Sequence, residues 1–192
     1  MIVVGIAGRA GCGKSAVARR LAQRDGVVWV DLDRVAWSTY QPGTSTFQAL
    51  VDRFGVGIVA EDGSIDRRRL ADAAFRSEQT ATELDRLVHP AVVRALAEIR
   101  AAEATKRTTV LLVEGALLAT SDVVDRSAFD AILWLDVDEP VRRERLRSAG
   151  RPEHASRSER LEPTGDVVRV DGSGPLDAVA DRVWAFIERL HS

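Results

Sequence analysis

Five short apolar runs, rich in β-branched residues, punctuate the chain. The first, Met1 to Ala7, carries Ile2, Val3, Val4 and Ile6. Val27-Val28-Trp29-Val30 is the second, Thr108 to Val113 the third, Ala131 to Asp136 the fourth and Asp166 to Asp171 the fifth. Continuous apolar runs of this length predict strands covered on both faces, as in parallel sheet. Between them the apolar positions recur every three or four residues. Val17, Ala18 and Leu21 share one face of a helix predicted from Ala16 to Arg24. Leu176, Val179, Val183, Phe186, Ile187 and Leu190 form the inner face of an amphipathic helix from Pro175 to Leu190. Strands alternating with helices predict an α/β fold: three layers around a mostly parallel five-stranded sheet.

The stretch between the second and third strands is too long for a simple crossover. It holds helical patterns at 47–54 (Phe47, Leu50, Val51, Phe54), at 66–75 (Leu70, Ala73, Ala74, Phe75) and at 77–104. The last contains His89-Pro90, and a proline inside a helix predicts a bend or a restart there. We therefore expect a helical insertion over 36–105, set into a core of 1–35 and 106–192. Residues 148–165 are polar with few apolar anchors, which predicts a flap within that core.

Chemistry enters at Gly8-Arg9-Ala10-Gly11-Cys12-Gly13-Lys14-Ser15. The pattern G-x-x-x-x-G-K-[ST] stands between the first strand and the first helix, the context in which it marks a phosphate-binding loop. Glycines there let successive N–H groups face one concavity, and the helix adds its positive end. Lys14 is expected to reach the β- and γ-phosphates and the Ser15 hydroxyl to bind Mg²⁺. The nucleotide-binding set is Gly8, Ala10, Gly11, Cys12, Gly13, Lys14, Ser15 and Ala16. With the strand and helix order, this predicts a P-loop kinase-like domain that binds a nucleoside triphosphate.

Acidic residues end two of the strands. Asp31 and Asp33 follow the second, where open α/β sheets bind ligands. One of them orients or deprotonates an acceptor hydroxyl, or one caps the next helix. Glu114 follows the third strand, to hold Mg²⁺ through water, position the acceptor or accept loop N–H groups. The arginines at 67–69 read either as solvated surface or as contacts for an anionic substrate. Arg142, Arg143, Arg145 and Arg147, beside the flap, read one by one as surface charge and together as a means of stabilising a transferring phosphoryl group.

Composition narrows the classes. With 27 basic and 29 acidic residues and a net charge of −2, the balance argues against a general nucleic-acid binder. One cysteine, Cys12, excludes an internal disulfide. No apolar run approaches the roughly 20 residues that span a membrane, and no basic leader precedes the first strand. The expectation is a cytoplasmic protein, monomeric or weakly self-associating.

In order along the chain stand the phosphate loop, Val30-Asp31-Leu32-Asp33-Arg34, Asp62-Gly63-Ser64-Ile65-Asp66-Arg67 with Leu70 and Phe75, and Leu87-Val88-His89-Pro90. Glu114 with Leu117-Leu118, Arg145-Leu146 and Asp171-Gly172-Ser173 follow. This ordered set resembles the dephospho-coenzyme A kinase family over most of the chain. The resemblance implies ATP-dependent phosphorylation of the ribose 3′-hydroxyl of dephospho-CoA, with Mg²⁺. It implies that Asp33 is the catalytic carboxylate, that Lys14 and Arg145 serve the transferring phosphate, and that Ser15 serves the metal. Asp31, Asp33, His89, Glu114 and Leu117 are the implied acceptor residues, 36–105 the acceptor domain and 148–165 the lid.

The chain departs from that family's pattern at several places. Ala116 stands where proline is usual, Thr120 where a further acidic residue is usual, and Glu114 where aspartate is commoner. Ala149 replaces a second lid arginine, Glu162 a glutamine, and Asp171 opens a turn that usually begins with asparagine. Arg147 or Arg151 is the expected substitute for the missing arginine. A P-loop kinase for another small hydroxylated acceptor, and an NTP-binding regulator without catalysis, are the two alternatives.

Overall fold

The computed structural model describes residues 1–119, 125–159 and 161–191, with the side chains of Leu117, Glu153, Ser156 and Arg157 outside that description. Thr120 and the rest of 120–124 also lie outside it. By its contacts the chain forms two compact units, one of residues 1–31 and 102–192 and the other of residues 32–101.

The first unit is built on a sheet of five strands, β1 (Ile2–Ala7), β2 (Val27–Asp31), β3 (Val110–Glu114), β4 (Ala131–Asp136) and β5 (Val168–Asp171). Their order is β2-β3-β1-β4-β5 and every pairing is parallel. Successive side chains along a strand face opposite ways. Val4, Ile6, Val110, Leu112, Leu133 and Leu135 face a core completed by Val17, Ala18 and Leu21 of α1 (Lys14–Leu21) and by Val179, Val183 and Ile187 of α8 (Leu176–Leu190). Val3, Leu111, Val113, Ile132 and Trp134, on the alternate positions, are also buried. Both faces are therefore covered along β1, β3 and β4, which is why those strands read as unbroken apolar runs, whereas β5 at the sheet edge exposes Val168, Arg169 and Asp171.

Between β4 and β5 lie α6 (Glu139–Ser148) and α7 (Glu153–Ser158). The polar segment 148–165 thus contains a short helix, and Ala155 and Ser158 on it are buried.

The second unit contains α2 (Leu32–Thr39), α3 (Ser45–Phe54), α4 (Arg67–Ala74) and most of α5 (Glu78–Ala104). Its core gathers Tyr40, Leu50, Ile58, Ile65, Leu70 and Val88, with Leu84, Leu87 and Val92 packed against it. Thr44 caps α3 by accepting the Phe47 N–H, and Asp66 caps α4 by accepting from Arg68 and Arg69.

Two local expectations change. The α5 pattern runs through Pro90 as a single helix. The lost backbone bond costs about 3 kcal/mol, and burial of Leu84, Leu87, Val88 and Val92 on the unit's core offsets it. Phe75 is not on the inner face of α4. It stands one residue beyond the last turn, at φ −90° and ψ 19°, and is 66% exposed.

Candidate active site

The loop between β1 and α1 takes its shape from backbone conformations a side chain would forbid. Gly8 has φ +145° and Gly11 φ +81°. A Cβ on Gly8 would lie 2.7 Å from Cys12 Sγ and 2.8 Å from the Leu135 carbonyl, and one on Gly11 would lie 2.7 Å from the Arg142 carbonyl. The loop is pressed against β4 and α6, with no room for a methyl group at either position. Gly13, also at positive φ, precedes the first turn of α1.

Among the described residues, the N–H groups of Gly11, Gly13, Lys14 and Ser15 find no protein acceptor. A row of donors at a helix N-terminus is an anion-binding surface, reinforced by the positive end of the helix dipole. Lys14 Nζ stays beside that row, donating to the Gly8 and Arg9 carbonyls at 2.9 and 3.3 Å. Cys12 is buried, its Sγ 3.9 Å from the same Nζ.

Ser15 Oγ donates to Glu114 Oε1 at 2.6 Å. Glu114 ends β3 and is 7% exposed. Asp31 ends β2 in register with it, so two carboxylates leave adjacent strands on the same edge of the sheet. Oxygen donors of this kind suit a hard cation that keeps its own waters. Among the described residues there is no group of three or more acidic, histidine or cysteine side chains to enclose a metal on its own.

Arg145 donates from Nη1 to the Cys12 carbonyl at 3.2 Å and from Nη2 to the Gly172 carbonyl at 3.5 Å. It lines a cavity of about 270 Å³ with Gly13, Ala16, Val17, Leu176 and Val179. The turn after β5 is held by the Ser173 N–H, which donates to Asp171 Oδ1 at 2.9 Å. That bond, joined by the Ser173 hydroxyl, holds the Asp171 carboxyl below the ordinary carboxylate range.

Sequence spacing treats Arg142 as one of several surface arginines, and the structure corrects this. Arg142 is 1% exposed and donates from Nη1 to the Ala10 carbonyl at 2.6 Å. Its Nη2 pairs with Glu139. Arg143 first, then Arg142, hold the Glu139 carboxyl below its usual range, against partial desolvation. The signal for burial was the spacing of Arg142 and Leu146, which put both on one stripe of α6. Arg9 carried no such signal. It donates from Nε to the Leu161 carbonyl at 2.9 Å and pairs with Glu162, which also faces Arg169 at 3.5 Å.

In the second unit, Asp33 lies in the first turn of α2, one residue past the helix start rather than at a cap. One and two turns on are Trp37 and Tyr40. Arg67, at the start of α4, stacks on Trp37 with its guanidinium carbon 3.5 Å from the ring centroid. Tyr40 is buried, and desolvation pushes its hydroxyl pKa up to about 12, with Arg67 pulling it down and Asp33 pushing it up. Asp33, Trp37, Tyr40 and Arg67 therefore form one cluster. His89 lies on α5, its Nε2 3.6 Å from Asp85 and its buried Nδ1 without a hydrogen-bond partner among the described residues. Leu117 lies in a 3₁₀ turn at 116–119, with its side chain outside the description.

The family model described as CoaE, dephospho-CoA kinase, matches residues 2–162. A Thermobifida fusca protein named dephospho-CoA kinase is 33% identical over the full length of both chains. A Geobacter sulfurreducens protein of the same name is 33% identical over 96% of this chain and 98% of its own. Among solved structures, a Thermus thermophilus protein superposes with a TM-score of 0.76 at 24% identity, covering 98% of this chain and 96% of that one.

Proposed function

The chain belongs to the dephospho-CoA kinase family, and from that premise we propose that it transfers the γ-phosphate of ATP to the ribose 3′-hydroxyl of dephospho-CoA, giving CoA and ADP. The observation that carries the reading is the set of N–H donors of Gly11, Gly13, Lys14 and Ser15, with the Ser15–Glu114 bond beside it. These groups bind a triphosphate and meet the oxygen-ligand demands of its metal.

The roles follow from the chemistry of each group. The loop amides and Lys14 hold the β- and γ-phosphates. Arg145, bound to the backbone on either side of the cavity, reaches the transferring group as charge builds on it. Adenine takes the cavity beside Ala16, Val17 and Val179. Asp33 accepts the proton of the 3′-hydroxyl and directs its attack, with Asp31 supporting the acceptor. Ser15 would hold Mg²⁺, with Glu114 supporting it through the Ser15 hydroxyl. When bound, Mg²⁺ neutralises charge on the phosphate oxygens. With little covalent chemistry for the protein to perform, rate comes from alignment and charge neutralisation.

His89 and Leu117 complete the acceptor set in this reading, residues 36–105 form the acceptor domain and residues 148–165 the lid. No helix among the described residues is long and apolar enough to cross a membrane. We place the enzyme in the cytoplasm, as a monomer or weak homo-oligomer that does not bind nucleic acid. Nothing observed favours another acceptor or a non-catalytic role.

The test is phosphate transfer from Mg-ATP to a panel of dephospho-CoA, nucleosides, nucleoside monophosphates and gluconate, read by product mass. Dephospho-CoA should gain one phosphate with the native protein and not with Asp33→Asn. Transfer to a different member of the panel, or to none, would sink the assignment.

A further inference from the structure

One residue of the phosphate loop is gripped on both of its backbone polar groups. The Ala10 carbonyl accepts from Arg142 Nη1 at 2.6 Å, and the Ala10 N–H donates to Ser158 Oγ at 3.2 Å. The two gripping side chains touch, with Arg142 Nη1 3.4 Å from Ser158 Oγ. Both are buried, at 1% and 5% exposure. They come from α6 and α7, more than 130 residues from the loop.

Stability does not account for this arrangement. The Arg142–Glu139 pair, whose glutamate remains one-third exposed, contributes little compared with apolar residues of the same volume. Arg142 also carries an uncompensated cost, because its buried Nε has no partner among the described residues.

Geometry gives the arrangement a purpose. The Ala10 carbonyl and the Gly11 N–H belong to one planar trans peptide, so they point in opposite directions. A guanidinium anchored on that carbonyl fixes the aim of the Gly11 N–H, one of the donors with no protein acceptor. The Ser158 bond fixes the preceding peptide in the same way. Gly11 itself lies against the Arg142 main chain, so the loop is seated and oriented by the same residue.

We propose that Arg142, together with Ser158, is a positioning residue for phosphate binding. It acts through the Ala10 peptide to hold the Gly11 N–H toward the phosphates. It touches neither nucleotide nor acceptor. The proposal rests on the nucleotide half of the function given above and is independent of which acceptor is used.

The full chain and its Arg142→Gln, Arg142→Lys and Ser158→Ala variants are titrated with ADP, tripolyphosphate and adenosine. Arg142→Gln should lose about tenfold or more in affinity for ADP and tripolyphosphate, with adenosine unchanged within about twofold. Arg142→Lys, which keeps the charge and one donor, should recover part of the loss. Ser158→Ala should show a smaller loss with the same selectivity. In turnover, KM for ATP should rise while KM for the acceptor stays. Equal losses for ADP and adenosine, or native ADP affinity in Arg142→Gln, would overturn the proposal. If Arg142→Gln does not fold, the ADP-to-adenosine ratio of Ser158→Ala decides, since that variant loses only one hydroxyl. A protein that binds ADP but phosphorylates no member of the acceptor panel would refute the acceptor assignment and leave this inference standing.

Discussion

The Ser15 hydroxyl donates to the Glu114 carboxylate at 2.6 Å, tying the first turn of α1 to the end of β3. The bond orients the hydroxyl lone pairs and adds negative charge beside them, as a supporting ligand does at a metal site. Glu114→Gln keeps the shape and removes the charge. The Mg²⁺ concentration for half-maximal rate should rise about 10- to 100-fold, with little change in thermal midpoint. An unchanged Mg²⁺ requirement would remove Glu114 from the metal's support.

Gly11→Ala places a methyl group 2.7 Å from a carbonyl oxygen at φ +81°. Strain and overlap together should cost about 2 kcal/mol or more, a fall of about 4–8 °C in thermal midpoint for a chain of this size. ATP affinity should fall with it. Gly43→Ala is the control, because φ is +88° there but nothing lies within 4 Å. Only the backbone cost of about 1 kcal/mol should remain. Equal effects at both sites would mean that the seating on α6 is unimportant.

Tyr40 is the one tyrosine in the chain, so an ultraviolet titration near 295 nm reads it alone. Its pKa of about 12 lies above the ordinary value near 10. The folded protein therefore holds this proton where the unfolded chain releases it. The associated stability is present below about pH 10 and is lost as pH rises to about 12. Asp33→Asn should lower the midpoint, because the Asp33 charge raises it. A midpoint near 10 in the folded native protein, or no shift in Asp33→Asn, would break the cluster assigned to these residues.

Arg67 stacks on Trp37 at 3.5 Å and makes no hydrogen bond among the described residues, so its donors face solvent and any anion bound there. Arg67→Ala should raise KM for dephospho-CoA, which carries a diphosphate, and leave KM for ATP unchanged. Loss of an exposed stack should cost under about 1 kcal/mol in stability. The Tyr40 midpoint should move up, since Arg67 holds it down. A rise in KM for ATP alone would contradict this placement.

What the sequence made legible follows from the physics of each signal. β-Branched runs such as Ile2–Ala7 and Val110–Glu114 showed the strands because both faces of a parallel sheet are dry. The phosphate loop was legible because its conformations admit only glycine at fixed spacing. Arg142 escaped because charge normally means surface: its spacing with Leu146 was a weak signal, and its partner Ala10 lies 132 residues away. The Arg9–Glu162 pair joins positions far apart in sequence, and no periodicity encodes it. Phe75 misled because helical spacing assumes that the helix continues, and α4 stops at Ala74.

The strand order has a consequence for how the chain is made. β1 and β2 are not neighbours, since β3 lies between them and pairs with both. During synthesis from the N-terminus, the sheet has no adjacent pair of strands until Val110–Glu114 has emerged. By then the contiguous unit 32–101 is complete and able to collapse, which shortens the loop that the β2–β3 pairing must close. The inserted unit is therefore free to fold first, while the apolar segments Ile2–Ala7 and Val27–Asp31 wait unpaired.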